Sequence, residues 1–163
     1  MTRIALVPGC LALLPEYASV IDPVSELREA VRTVADWLGT DATVVGGPQA
    51  RRLGASVLAG GARATTGERS YLVVGNGSAC RTEKAPGYLD PRAEGFDKLL
   101  GAALAGTDAA ALASLDQSLA RELWADTAGL SELSGLLDGA RLVGIDYDGA
   151  PYGVQYWVMR WER

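Results

Sequence analysis

Three short apolar runs, each followed by glycine, divide the first half of the chain. They occupy residues 4–7, 42–45 and 70–74, and each passes directly into a loop that contains glycine. Uninterrupted apolar runs of this length are typical of strands that are buried on both faces, as in parallel sheets. We therefore predict three buried strands whose carboxyl ends all lead into loops.

Apolar residues at helical spacing follow the first strand. The predicted helix has Asp22 as its N-cap and Pro23 in its first turn, and it ends at Gly39. Its apolar residues are Val24, Leu27, Val31, Val34 and Leu38. A less regular helix is expected within residues 51–61, where several glycines weaken the pattern.

Further helices are predicted after the third strand. Asp90 is expected to cap a long helix that begins next to Pro91. Three shorter helices are expected over residues 108–115, 116–124 and 129–137, and aspartate heads the first two of them.

The C-terminal tail changes to a strand pattern. Residues 141–147 and 154–161 alternate and are rich in β-branched and aromatic residues, which predicts an antiparallel pair. Residues 1–163 are thus predicted to form a single α/β domain, with a central mixed, mainly parallel sheet of about five strands and helices on both faces. In such a sheet, ligands bind in the crevice outside the carboxyl ends of the strands.

Composition narrows the functional classes without changing this fold. The 163 residues are 48% hydrophobic and 21% charged and include no histidine, and the first two values are typical of one globular domain. The lack of histidine excludes a Ser-His-Asp triad, a Cys-His pair, histidine-ligated zinc or iron, and imidazole acid-base catalysis. Most common enzyme mechanisms therefore lack a required residue.

The charge of the chain opposes binding to nucleic acid. The net charge is -5, whereas a nucleic-acid-binding domain needs a basic face. The nearest approach to such a face comprises Arg51, Arg52, Arg63 and Arg69. The apolar start, residues 4–14, is interrupted by proline and glycine, and no stretch has the length of a membrane span. We expect a cytoplasmic protein that binds neither nucleic acid nor membranes.

Each of the two cysteines, Cys10 and Cys80, follows a predicted strand by a few residues. Both are expected to be free thiols in a reducing compartment. If the two strands are neighbours, both thiols would open into one crevice, and Arg81 or Lys84 would have to lower the pKa of a nucleophilic cysteine. The alternative is that both cysteines are small buried apolar residues.

The glycine-rich segment from Gly75 to Ser78 follows the third strand. It lacks the Lys-Ser/Thr of a phosphate-binding loop and the glycine spacing of a dinucleotide site. We expect instead a tight turn in which Gly75 or Gly77 has a positive φ. The polar residues 81–84, which follow directly, form either a solvated loop or the wall of a site.

Aromatic residues crowd the predicted C-terminal strand pair. They are Tyr147, Tyr152, Tyr156, Trp157 and Trp161. Because strand residues alternate between faces, part of this set belongs to the core and the remainder lines a pocket or a subunit contact. This set is the basis for expecting a homo-oligomer.

Four segments occur in the order found in a known family. They are Pro-Gly-Cys-Leu-Ala-Leu-Leu-Pro-Glu at 8–16, Gly-Asn-Gly-Ser-Ala at 75–79, Lys-Ala-Pro-Gly-Tyr-Leu-Asp-Pro-Arg-Ala-Glu-Gly-Phe-Asp at 84–97, and Ala-Pro-Tyr-Gly-Val-Gln-Tyr-Trp-Val at 150–158. This arrangement resembles the LigB-like superfamily of class III extradiol ring-cleavage dioxygenases and their relatives, and in particular a compact bacterial branch.

The resemblance implies an active-site position at the carboxyl ends of the strands. Enzymes of the superfamily hold a non-haem Fe(II) with two histidines and a carboxylate, and a further histidine acts as the acid-base group. By the resemblance, the first ligand position corresponds to Gly9, the second lies near Gly46, and the acid-base position corresponds to Ala79. These residues do not bind iron, and Asp146 and Asp148 cannot hold it alone. The resemblance thus implies the fold without the reaction.

We therefore expect a metal-free dioxygenase-like protein, without cofactors, that binds a small molecule or a protein partner in a vestigial crevice. The candidate pocket residues are Gly9, Cys10, Gly46, Asn76, Ser78, Ala79, Cys80, Thr82, Tyr88 and Tyr152. Two alternatives stay open. One is a histidine-independent enzyme with Cys80 or Cys10 as nucleophile, and the other is a structural subunit of a larger complex.

Overall fold

The computed structural model describes residues 1–17, 21–62 and 68–163. Its strands form one five-stranded sheet and are β1 (Thr2–Val7), β2 (Thr43–Val45), β3 (Arg69–Val74), β4 (Arg141–Gly149) and β5 (Tyr156–Glu162). The strand order is β2-β3-β1-β5-β4. β3 is parallel to both β1 and β2, whereas β5 is antiparallel to both β1 and β4. This topology confirms the predicted α/β fold with a C-terminal antiparallel pair.

Helices cover both faces of the sheet, as predicted. They are α1 (Ser25–Leu38), α2 (Pro48–Ala59), α3 (Ala93–Ala105), α4 (Ala109–Ala113), α5 (Gln117–Glu122) and α6 (Ala128–Leu136). Alternate residues of β1 enter two separate cores. Ala5 and Val7 pack in the core formed with α1 and α2, which we call the first core, and Ile4 and Leu6 pack in the second core, formed with α3 to α6.

Aspartate side chains mark the beginnings of several helices. The carboxylates of Asp108 and Asp116 cap α4 and α5, as predicted, and each accepts a backbone N–H at 2.9 Å. Asp90 is not the predicted N-cap of α3: its Oδ1 accepts the N–H of Arg92 at 2.9 Å, but Arg92 itself is the N-cap and α3 has no side-chain cap. These bonds satisfy backbone donors that have no partner within a helix.

The first two helices differ from their predicted bounds. α1 begins at Ser25 because Asp22 binds ahead of the helix, where it accepts the N–H of Val24 at 3.1 Å and pairs with Arg28 at 2.6 Å. α2 begins at Pro48, before the predicted range. Proline is well suited to a first helical position because its fixed φ is helical and its missing N–H costs nothing there.

The carboxyl ends of β1, β2 and β3 lie at one edge of the sheet, together with the connection between β4 and β5. We call this the carboxyl edge. Backbone bonds tie the loop after β3 to the residue before β5: Gly77 N–H donates to Gln155 O, and Gln155 N–H donates to Ser78 O, both at 2.9 Å. The two loops therefore form one surface where a ligand is expected in folds of this type.

Two expectations about partners concern surface features. None of the helices in the described ranges is long and apolar enough to cross a membrane.

In the basic cluster, Arg51 donates to Gly46 O at 3.1 Å and Arg52 pairs with Glu16 at 3.1 Å. Arg63, which belongs to the same cluster, lies outside the described residues.

Candidate functional site

Close packing, rather than an unusual backbone conformation, shapes the loop after β3. Gly75 and Gly77 both lack a positive φ, so the predicted turn geometry is wrong. A Cβ atom at position 77 would lie 2.5 Å from Asp97 Oδ1 and 2.9 Å from Gln155 Cβ. Glycine is required at this position because neighbouring side chains come too close to the backbone for a methyl group.

The space between the ends of β1 and β3 is closely packed. The Gly9 N–H donates to Asn76 Oδ1 at 3.2 Å, and Asn76 forms an isolated antiparallel bridge with Asp126. A Cβ atom at position 9 would lie 3.3 Å from Asn76 Oδ1 and 3.4 Å from Asp126 Oδ2. Burial raises the pKa of Asp126, a residue for which no sequence pattern predicts a role.

Cys10 and Cys80 lie on opposite faces of the sheet, so the expectation of one shared crevice is wrong. β1 and β3 are neighbours, as that expectation required. However, the loops that follow them turn to different faces, and Cys10 packs in the first core while Cys80 packs in the second. Both thiols are free and buried.

The environment of Cys80 disfavours a thiolate. The residue is 1% exposed, and its Sγ donates to Leu123 O at 3.4 Å. Burial raises the pKa of the Cys80 thiol, and the negative charges of Asp90 and Asp97 raise it further. An activated cysteine needs the opposite conditions, namely exposure and a lowered pKa.

A buried pair of polar residues fastens the loop after β3 to α3. Asp97 is 2% exposed and Ser78 is fully buried. Asp97 Oδ1 accepts the Ser78 N–H at 2.7 Å, and Asp97 Oδ2 accepts the Ser78 hydroxyl at 2.6 Å. Burial raises the pKa of Asp97, although the bonds from Ser78 and the charge of Arg81 act in the opposite direction. A carboxylate this deeply buried is tolerated because several donors surround it.

Arg81 extends this pair to the connection between β4 and β5. Its Nη1 atom lies 3.4 Å from Asp97 Oδ2 and donates to Gln155 Oε1 at 3.0 Å. Gln155 Nε2 donates in turn to Asp148 Oδ1 at 2.8 Å. A continuous chain of hydrogen bonds thus runs from Ser78 to Asp148 along the carboxyl edge.

This chain of bonds forms one wall of a cavity of about 310 Å³, which we call the network cavity. Its lining residues are Arg81, Asp97, Lys98, Gly101, Ala102, Asp148, Gln155 and Trp157. A larger cavity of about 540 Å³ lies against α1 and α2 and includes the ion pair of Asp22 and Arg28. The network cavity is the better candidate because it lies at the carboxyl edge and is built on a buried carboxylate.

None of the ten candidate pocket residues lines either of these two cavities. Ser78 reaches the network cavity only through Asp97.

The other candidates lie elsewhere in the loops. Ala79 is buried, and its N–H donates to Leu123 O at 2.9 Å. Thr82 lies against Gly153 in the connection before β5. Tyr88 and Tyr152 are exposed and share a positive φ, which is uncommon for bulky residues.

Two lining residues with polar side chains, Asp97 and Gln155, had no predicted role, whereas Trp157 belonged to the aromatic set of which a part was expected to line a pocket. Asp97 shares the buried face of α3 with Ala93 and Leu100. A carboxylate at the apolar spacing of a helix is a signal that could have identified it. Gln155 carries no such signal, because its partners come from distant segments that meet only in the folded sheet.

The aromatic residues of the C-terminal pair divide between the two faces, as alternation predicts. Trp157 and Trp161 are buried in the second core. Tyr147 and Tyr156 pack against the first core, where burial raises the pKa of both hydroxyls. Tyr152 remains exposed.

Metal ligands and relatives provide no independent guide to the site. Within residues 1–17, 21–62 and 68–163, no three cysteine, aspartate or glutamate side chains cluster in a way that could hold a metal ion. No protein-family model matches the chain, and no curated protein matches it significantly. Function is therefore inferred from the geometry of the network cavity.

Proposed function

We propose that the protein is a small-molecule-binding domain, related to the class III extradiol dioxygenases but without their iron chemistry, and that its site is the network cavity. The observation that carries this proposal is the buried Asp97 carboxylate, which holds Arg81 at the cavity wall through a contact of 3.4 Å. An arginine fixed in this way is a pre-organised anchor for a polar ligand.

Binding fits the chemistry of the wall better than catalysis does. Ser78 is fully buried, and its hydroxyl donates a hydrogen bond to Asp97 Oδ2 at 2.6 Å instead of facing the cavity. Cys80 is buried in the second core and does not line the cavity. By the resemblance, Gly9 and Ala79 stand where ring cleavage requires two histidines.

A binding screen tests the proposal directly. Purified protein is tested by thermal shift and calorimetry against a panel of carboxylic acids, amines, amino acids, polyols and nucleosides. We expect at least one class to bind the wild type, and to bind Arg81→Gln more weakly. Arg121→Gln is the matched control, because Arg121 is exposed and has no side-chain partner in the described part of the chain.

Metal analysis and an oxygenase assay test the second half of the proposal. We expect the purified protein to contain far less than one equivalent of iron and to leave catechol intact under air. A stoichiometric amount of iron together with ring cleavage would overturn the proposed function, as would a panel in which no compound binds.

A further inference from the structure

Arg81, at the wall of the network cavity, has side-chain N–H donors that bind no acceptor in the described part of the chain. It uses Nη1 for both of its side-chain contacts, with Asp97 and with Gln155. Its Nε and Nη2 atoms have no acceptor among the described residues. A guanidinium with two free N–H groups on one side matches the two oxygens of a carboxylate.

The indole of Trp157 supplies a second donor at the same cavity. Trp157 is 2% exposed as a whole and lines the cavity, and no described residue accepts a hydrogen bond from its Nε1. The indole edge that carries Nε1 lies against Gly101, another lining residue, where a Cβ atom would be 3.4 Å from Nε1. The buried side-chain atoms without a partner in the described residues are Arg3 Nε and Trp161 Nε1. The Trp157 N–H is therefore not sealed in the core, and a ligand in the cavity can accept its hydrogen bond.

An acceptor of opposite charge lies across Gln155 from Arg81. Asp148 uses Oδ1 for Gln155, and its Oδ2 has no donor in the described part of the chain. The amide of Gln155 spans the gap between them, since its oxygen accepts from Arg81 at 3.0 Å and its nitrogen donates to Asp148 at 2.8 Å. An α-amino acid presents the same polarity over a similar length, with a carboxylate at one end and an ammonium group at the other.

The charges of the lining residues balance. Arg81 and Lys98 are cationic, and Asp97 and Asp148 are carboxylates. Lys98 also pairs with Glu94 at 2.9 Å, so Arg81 is the cation that faces Asp97 and Gln155. A ligand without net charge but with two separated charges complements such a wall, whereas a simple anion or cation would leave one end without a partner. The volume of about 310 Å³ is at the lower end of the usual range for ligand cavities.

We infer that the network cavity binds a small zwitterion of the α-amino-acid type, with its carboxylate on Arg81 and the Trp157 indole N–H and its ammonium group on Asp148. This inference rests on the proposed function and names the ligand class of the same site.

The test uses L-alanine as the probe and follows the indole N–H signals of ¹⁵N-labelled protein by NMR. The chain has four tryptophans, and Trp157→Phe assigns the relevant signal. Propionate and ethylammonium are the matched probes that carry only one of the two charges. We expect L-alanine to shift the Trp157 signal saturably, and each single-charge probe to bind about tenfold more weakly or worse.

Two variants localise the binding. Arg81→Gln and Asp148→Asn are each expected to weaken L-alanine binding about tenfold or more. Asp148→Asn is the safer variant for folding, because Asp148 is exposed. Arg121→Gln and Asp138→Asn serve as controls and are expected to bind as the wild type does, since both residues are exposed and have no side-chain partner in the described ranges.

The outcomes separate this inference from the proposed function. If propionate shifts the Trp157 signal as strongly as L-alanine does, the inference of a zwitterionic ligand is wrong, but the proposed small-molecule binding stands. If L-alanine leaves the signal unchanged while another compound of the panel binds, the ligand class is likewise overturned. If neither L-alanine nor any compound of the panel binds, both the inference and the proposed function fail.

Discussion

Asp97 holds the loop after β3 because three donors converge on its buried carboxylate: the Ser78 N–H, the Ser78 hydroxyl and Arg81. We expect Asp97→Ala to lower the free energy of unfolding by about 3–5 kcal/mol, because the donors lose their partner inside the protein. Ser78→Ala removes one bond and is expected to cost about 1 kcal/mol. Urea denaturation measures both. Equal losses in the two variants would show that the carboxylate is not what fastens this loop.

The titration of Asp97 is expected to make the protein less stable as pH rises. Burial raises the pKa of Asp97 above its ordinary value of 3.8, so the folded state retains the proton to higher pH than the unfolded state does. The stabilisation from that proton is complete below about pH 3.8 and is lost as pH rises through the raised pKa.

A comparison with Asp97→Asn isolates this effect. Other carboxylates act in the opposite direction; Asp90, for example, has its pKa lowered to about 2 by Arg92, so its contribution is lost as pH falls. Subtracting the unfolding free energy of Asp97→Asn from that of the wild type cancels the contributions of these other carboxylates. The difference should decrease from pH 4 upward and then level off. A difference that is constant with pH would contradict the assignment.

Cys80 is expected to behave as a core residue. Because burial and nearby carboxylates raise the pKa of its thiol, iodoacetamide should label Cys80 in the Cys10→Ser variant only at the rate of unfolding near neutral pH. Mass spectrometry gives the labelling rate, and urea-unfolded protein provides the fully reactive control. Rapid labelling with an apparent pKa below the usual value of about 8.5 would revive the nucleophile hypothesis.

The roles of individual residues were predictable only where their contacts are local. Asp108 and Asp116 cap the helices that they precede. The cap and the N–H group that it binds are neighbours in the sequence, so the pattern can be recognised there. Arg81 and Asp148, by contrast, share Gln155 through contacts between distant segments. Their proximity follows from the pairing of the loop after β3 with the residue before β5, and no spacing in the sequence reports that pairing.

At the scale of elements, two glycines give opposite expectations for the same substitution. Gly77→Ala would push a methyl group against Asp97 Oδ1 and Gln155 Cβ, so we expect a loss of about 1–3 kcal/mol in the free energy of unfolding. Gly95 lies in α3 with open space around its Cβ position, and Gly95→Ala is expected to gain about 0.5 kcal/mol. Denaturant midpoints measure both. A higher free energy of unfolding for Gly77→Ala would mean that the loop accommodates the methyl group without strain.

The strands and helices were largely predictable from periodicity, although β2 is an edge strand with Thr43 exposed and not the predicted buried strand. The turn between β3 and α3 was not predictable. Uninterrupted apolar runs mark β1 and β3 because both strands are covered by helices on both faces. The glycines after β3 serve close packing instead of a positive φ. The same sequence, Gly-Asn-Gly, is compatible with either use, and tertiary contacts made elsewhere in the chain decide between them.

At the scale of the whole molecule, one sheet serves two cores. Ile4 and Leu6 of β1 enter the second core, and Ala5 and Val7 enter the first core. Loss of either set of helices would expose one face of the central strands, whose residues are buried on both sides. The two cores are therefore expected to unfold as a single cooperative unit.

A core substitution read out from the opposite face tests this cooperativity. Leu27→Ala lies in the first core, where Leu27 is fully buried, and is expected to cost about 2–5 kcal/mol. With Trp37→Phe and Trp124→Phe as the background, which also removes the exposed indole of Trp124, fluorescence reports on Trp157 and Trp161 in the second core. If the sheet couples the cores, Leu27→Ala shifts the urea midpoints of fluorescence and of far-ultraviolet circular dichroism equally. The control is Glu29→Ala, on the exposed face of α1, which should change both midpoints only slightly. A fluorescence midpoint that stays unchanged in Leu27→Ala would show that the second core folds independently.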